Sequence, residues 1–150
     1  MLNLNDAAQA IYIVTRLVPV PINIHALVYL ASKDWAMLNR DGAYHIYQTT
    51  DVQGNPVTVK LRVRESEAGG SRFYEVYGIE VQFKYLGRDY LAIYPVSNTG
   101  ITKTKIDDRD LLDISTKVGG EPCIAALRIG NVPAVCKQIG RFYLVIARLG

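Results

Sequence analysis

Lys60, Arg62 and Arg64 stand at every second position of the run Val57-Thr58-Val59-Lys60-Leu61-Arg62-Val63-Arg64. In an extended strand alternate side chains share a face, so the aliphatics would turn inward and the three cations outward, along roughly 13 Å. That length matches the span of two phosphates on one nucleic-acid strand, and phosphate neutralisation supplies the sequence-independent part of nucleic-acid affinity. Lys84, Arg88, Arg128, Arg141 and Arg148 would extend the patch if their strands lie side by side. Ten tyrosines and three phenylalanines interleave with these basic segments, and aromatic platforms beside cationic rows bind single strands without reading sequence. Most of those aromatics share a face with aliphatics, however, which is the pattern of core packing. The alternation of lysine and arginine equally suits a solvated sheet face that guards an edge strand against pairing.

Glu80, Gln82 and Lys84 share one face of a second alternating run. Gln82-Phe83-Lys84 resembles, over three residues, the glutamine variant of a half-motif found in restriction-endonuclease-like nucleases. The resemblance implies Mg²⁺-dependent cleavage, with Glu80 or Gln82 helping to hold the metal and Lys84 steadying the attacking water. Such a site needs a second carboxylate from the preceding strand, for which Asp51, Glu65, Glu67 and Glu75 are the candidates. Asp107, Asp108 and Asp110 stand within about one helical turn, with Asp113 in the next, where they favour a helix start through its macrodipole. They lack the glycine and terminal glutamate of a calcium loop, so no metal is expected there. His25 and His45 are solitary, and no serine or cysteine sits in a nucleophile-elbow context. The glycines of Ala68-Gly69-Gly70-Ser71 precede a strand and lack the lysine of a phosphate loop, which makes them a hairpin tip.

These side chains need a scaffold, and the periodicity of the chain predicts one. Ala7, Ala10, Ile11, Val14, Leu17 and Val18 recur at helical spacing, ending at Pro19-Val20-Pro21, and Ile24, Leu27, Val28, Ala31, Trp35 and Leu38 form a second such face. From residue 43 the period becomes two. Strands are predicted over 43–50, 57–64, 72–85, 89–96, 123–129, 132–137 and 142–149, with a helix over 107–118 that turns Leu111, Leu112 and Ile114 or Ser115 inward and stops at Gly119-Gly120. Gly87-Arg88 is the expected turn of the best hairpin, which would set Tyr85 opposite Tyr90. Residues 142–147 are apolar on both faces, the mark of a central strand. The expected fold is therefore α+β: two N-terminal helices packed on a mostly antiparallel sheet of about six or seven strands, with one short additional helix near 107–118.

The 150 residues suit one domain, with 1–42 the helical pair and 43–150 the sheet. Hydrophobic residues at 49% and charged residues at 21% describe a globular chain and exclude a disordered one. No apolar run reaches the ~20 residues of a membrane helix, and the N-terminus lacks the cationic region of a secretory signal. A cytoplasmic protein without membrane contact is the expectation. Cys123 and Cys136 would then pack as small buried hydrophobes, with a disulfide across neighbouring strands as the lesser alternative. The net charge of +3 matters only if it collects on one surface.

These observations point first to a small nucleic-acid-binding protein without enzymatic activity or cofactor, holding phosphates through Lys60, Arg62, Arg64, Lys84, Arg88, Arg128 and Arg141. A homo-oligomeric structural or assembly subunit, capsid-like or scaffold-like, is the alternative. A nuclease using Glu80, Gln82 and Lys84 is the third.

Overall fold

A computed structural model describes residues 18–20, 44–127 and 130–149, with backbone alone at 44, 45, 47, 63–68 and 71–77. The chain runs β1 (Tyr44–Thr50), β2 (Pro56–Ala68), β3 (Ser71–Tyr85), β4 (Arg88–Val96), a 3-10 turn (Asn98–Gly100), β5 (Ile101–Lys103), α1 (Arg109–Val118), β6 (Glu121–Leu127), β7 (Gly130–Ile139) and β8 (Phe142–Arg148). The eight strands form one sheet in the order β1-β2-β3-β4-β8-β7-β6-β5, every neighbouring pair antiparallel.

The expected α+β fold is corrected here. The described residues form eight strands with one α-helix and one 3-10 turn. The predicted helical pair falls outside them, except that Val18 to Val20 run as a bend. The additional strand, β5, is three residues long, too short for a period of two to reveal it. It pairs with β6 at the sheet's edge through Ile101↔Ala125 and Lys103↔Cys123.

Alternation decides which side chains enter the core. Val57, Val59 and Leu61 of β2, Ile79, Val81, Phe83 and Tyr85 of β3, and Tyr90 and Ala92 of β4 are all buried in one cluster. Their register aligns them in rows, Leu61↔Ile79↔Tyr94 and Val59↔Val81↔Ala92. Tyr90 lies opposite Phe83, not Tyr85, because the turn is Leu86-Gly87 and Tyr85 faces Arg88. A two-residue loop shifts the whole register from the predicted one, although the Tyr85 and Tyr90 rings still meet edge to face at 6.2 Å. β8 is central as expected. Leu144 and Ile146 enter the first cluster, while Val145 and Ala147 enter a second on the opposite face, with Cys123, Ala125, Ala134 and Cys136.

α1 covers the first cluster with Leu111, Ile114, Ser115 and Val118, an i, i+3, i+4, i+7 series. Leu112, predicted to point inward, is 42% exposed, because the buried stripe passes one position to its side. Asp108 caps the helix, its Oδ1 accepting from the Asp110 and Leu111 amides at 3.1 Å each. Gly119 ends it with φ of 71°, a conformation costly to a residue with a Cβ. Both ends are also tethered to the sheet. Arg148 Nη2 donates to both Asp108 oxygens, at 2.8 and 2.6 Å, and Lys137 Nζ donates to the Val118 carbonyl at 2.7 Å. Arg148→Met leaves that carboxylate without its cation in a half-buried place. It is expected to lower stability by about 2 kcal/mol, as read by urea unfolding.

Cys123 and Cys136 are joined in a disulfide across β6 and β7, which corrects the expectation of two free buried thiols. Cys123 pairs with Ala134, two residues from Cys136, so the bond runs diagonally between adjacent strands. Among the described residues no helix is long and apolar enough to cross a membrane.

Candidate binding face

Opposite the α1-covered core, β2 turns out Thr58, Lys60 and Arg62, all half-buried, and β3 turns out Glu80, Gln82 and Lys84. The ladder registers extend these positions into rows across the sheet. One row reads Lys60, Glu80, Ile93, Val145 and Cys136, and its neighbour Thr58, Gln82, Leu91, Ala147 and Ala134. Along each row polarity falls, from charged and amide groups on β2 and β3 to aliphatics on β4 and β8. This face is therefore polar on β2 and β3, half-buried and aliphatic on β4, and buried in the second cluster on β8 and β7.

At the junction lies a cleft of about 420 Å³, with Arg62 and Glu80 on one side and Leu91, Ile93, Leu127 and Leu149 among its apolar lining. Gly78 shapes the approach of Arg62 to it. Arg62 pairs with Gly78 across the ladder, and a Cβ built on Gly78 would sit 3.3 Å from Arg62 Cδ and 3.4 Å from the Tyr94 carbonyl oxygen. The arginine stem lies over the strand because no side chain stands there, and the register shift between Arg62 and Val63 falls at the same place. Gly78→Val is expected to push Arg62 off β3 and to lower the midpoint of thermal unfolding by several degrees, roughly the effect of 1–2 kcal/mol. Circular dichroism melting would measure it.

Of the predicted cations, Lys60, Arg62 and Lys84 share this face, but charge does not accumulate as the alternation suggests. Lys60 Nζ lies 3.9 Å from Glu80 Oε2, its direct cross-strand neighbour. Arg88 is 3.8 Å from Asp110 at the α1 side of the sheet. Arg141 is exposed in the β7–β8 turn, separated from β2 by β3 and β4. Arg64 lies beyond the register shift at a position described by backbone alone, and Arg128 is outside the described residues. The aromatics do not form a platform beside these cations: Phe83, Tyr85 and Tyr90 are 1%, 5% and 0% exposed in the opposite core, and Tyr143, on this face, is half-buried against the second cluster on β8.

The proposed nuclease constellation places Glu80, Gln82 and Lys84 on one face, with Glu80 engaged by Lys60. Asp51, a candidate second carboxylate, is occupied inside its own turn. Its Oδ1 accepts from the Gln53 and Asn55 amides at 2.9 Å each, and its Oδ2 from Asn55 Nδ2 at 3.1 Å. Burial by itself would raise the Asp51 pKa, but these hydrogen bonds outweigh it and hold the group below its ordinary 3.8. A depressed folded value means that Asp51 adds stability above pH 3.8 and loses that contribution as the pH falls below it through the folded value. Asp51→Asn should accordingly flatten the acid limb of a stability-against-pH profile measured by urea unfolding. Glu65, Glu67 and Glu75 are described by backbone alone.

The helix-start aspartates serve the fold: Asp108 and Asp110 face Arg148, and Asp113 accepts from the Tyr85 hydroxyl. Burial first, and that hydrogen bond second, push the Tyr85 pKa up. Sequence reasoning missed Gly78 and the aliphatic half of the face. Gly78 carried a signal, a glycine inside a long strand, and so did β4, whose Leu91 and Ile93 alternate with the equally apolar Tyr90 and Ala92. Leu127 and Leu149 carried none, because only the strand order brings them to the cleft. No protein-family model, curated protein or solved structure matches this chain.

Proposed function

We propose that this chain is a non-enzymatic assembly subunit that associates with a second copy of itself through the open face of β2 to β4. The observation that carries the proposal is the cleft's composition: an apolar lining with a cation, Arg62, and an anion, Glu80, on the same border. A twofold contact uses one patch on both subunits, so a patch bearing both signs complements itself, with Arg62 of one copy against Glu80 of the other. An apolar centre with a polar rim is the usual anatomy of such contacts. β1 favours assembly as well, being an edge strand of the described sheet with Ile46 56% exposed.

Sedimentation velocity over a concentration series tests this. Wild-type protein is expected to associate, and R62E and E80R should each weaken association by at least about tenfold by juxtaposing like charges. Mixing the two variants brings opposite charges together at both symmetry-related contacts and should restore it. A monomer at every concentration, or association indifferent to both substitutions, would overturn the proposal.

A second reading, nucleic-acid binding, is favoured by Lys60, Arg62 and Lys84 sharing a face with the hydrogen-bonding side chains of Thr58 and Gln82. It requires a labelled oligonucleotide to bind with steep salt dependence, and binding to be lost when the three cations are changed to alanine.

A further inference from the structure

The β3–β4 hairpin turns on Leu86 and Gly87, with φ of 51° and 77°. Two-residue turns of this hand match the twist of their strands and favour asparagine, aspartate or glycine at the first position. Leucine there holds a Cβ in the left-handed region, which L-residues other than glycine, asparagine and aspartate rarely adopt. Burial does not compensate, since Leu86 is 67% exposed. A strained backbone presenting an apolar side chain to water has no rationale in the fold, and such outliers concentrate at binding positions.

Leu86 borders a cleft of about 350 Å³ whose other wall is the β1–β2 turn. That turn also presents an aliphatic side chain, Val52, 72% exposed. Lys84, from the face of β3 turned away from α1, and Lys117, from the last turn of α1, both line this cleft beside the β3–β4 turn. Lys117 Nζ sits 4.9 Å from the centre of the Tyr85 ring and 4.0 Å from Asp113, in a solvent-screened pair. The acid of the β1–β2 turn, Asp51, is satisfied by its own turn, which limits its opposition to an incoming anion. Two exposed aliphatics thus flank two cations around a concave space of ligand size.

We propose that this cleft binds a phosphate ester carrying an aliphatic group, its phosphate between Lys84 and Lys117 and its alkyl portion against Val52 and Leu86. The site includes Lys84 from the face assigned to self-association but shares no lining residue with the cleft at its centre. Its chemistry fits a soluble alkyl phosphate and the headgroup of an anionic phospholipid alike.

Calorimetric titration with butyl phosphate and with inorganic phosphate tests the site. Butyl phosphate should bind about tenfold more tightly, the effect of a few methylenes in an apolar contact. L86N is the decisive variant, because asparagine tolerates the left-handed turn: it should melt higher than wild type yet lose the preference for the alkyl ester. The K84A/K117A double variant, checked for folding by circular dichroism, should lose both ligands. Co-sedimentation with phosphatidylcholine vesicles containing phosphatidic acid, abolished by L86N, would support the site with a lipid as its source. Butyl phosphate binding without co-sedimentation would support it with a soluble one. Equal affinity for the two phosphates, or an alkyl preference that survives L86N, would overturn the proposal.

Discussion

Phe83→Ala is expected to lower the free energy of unfolding by about 3–5 kcal/mol, the largest effect of any single substitution considered. Phe83 is 1% exposed, with its ring 5.9 Å from that of Tyr90 and interplanar at 21°. Tyr90, directly opposite across the ladder, is itself 0% exposed. Removing the phenyl ring forfeits its transfer from water and leaves a void that close-packed neighbours fill only in part. Urea unfolding followed by circular dichroism would show the midpoint falling with little change of slope. Phe83→Leu, which keeps most of the volume, should cost less than half as much. A loss below about 1 kcal/mol for the alanine variant would mean that the β3–β4 register or the α1-covered core is wrongly placed.

Reduction of the Cys123–Cys136 bond comes next. The cysteines are 13 residues apart in sequence, and closing a loop of about that size restricts the unfolded chain by an amount equivalent to roughly 3 kcal/mol. Unfolding with and without reductant, compared with the C123A/C136A variant, should show a loss of that order on reduction and no reductant effect in the variant. Intact protein treated with an alkylating agent under denaturing, non-reducing conditions should gain no mass, while reduced protein gains two adducts. Alkylation of both cysteines without reductant would show that the thiols are free. A persistent bond would also bear on where the protein resides, because disulfides last in oxidising compartments and are rare in reducing ones.

Much of the described fold was readable in the residue order. The alternation of β2 placed Val57, Val59 and Leu61 in the core and Lys60 and Arg62 outside it, and α1 starts within two residues of its expected beginning and ends at the expected Gly119, although its buried stripe leaves Leu112 outside. The two-faced apolarity of residues 142–147 marked β8 as central. Each of these follows from backbone geometry within one element: 3.6 residues per turn in a helix and two per repeat in a strand set which neighbours share a face.

The candidate sites were readable only in part. Lys60, Arg62, Glu80, Gln82 and Lys84 could be assigned to faces from their spacing, yet their neighbours could not. The return of the chain from β5 and α1 to lay β8 against β4 is what brings Leu149 and Leu127 beside Leu91 and makes a cleft. The same return sets Arg148 on Asp108, 40 residues away, and so assigns to the fold a cation that had been counted toward a ligand. Local periodicity determined the faces of the strands. Their partners, and therefore whether a charge meets a ligand or an opposite charge, depend on contacts between distant segments, which only the closed sheet specifies.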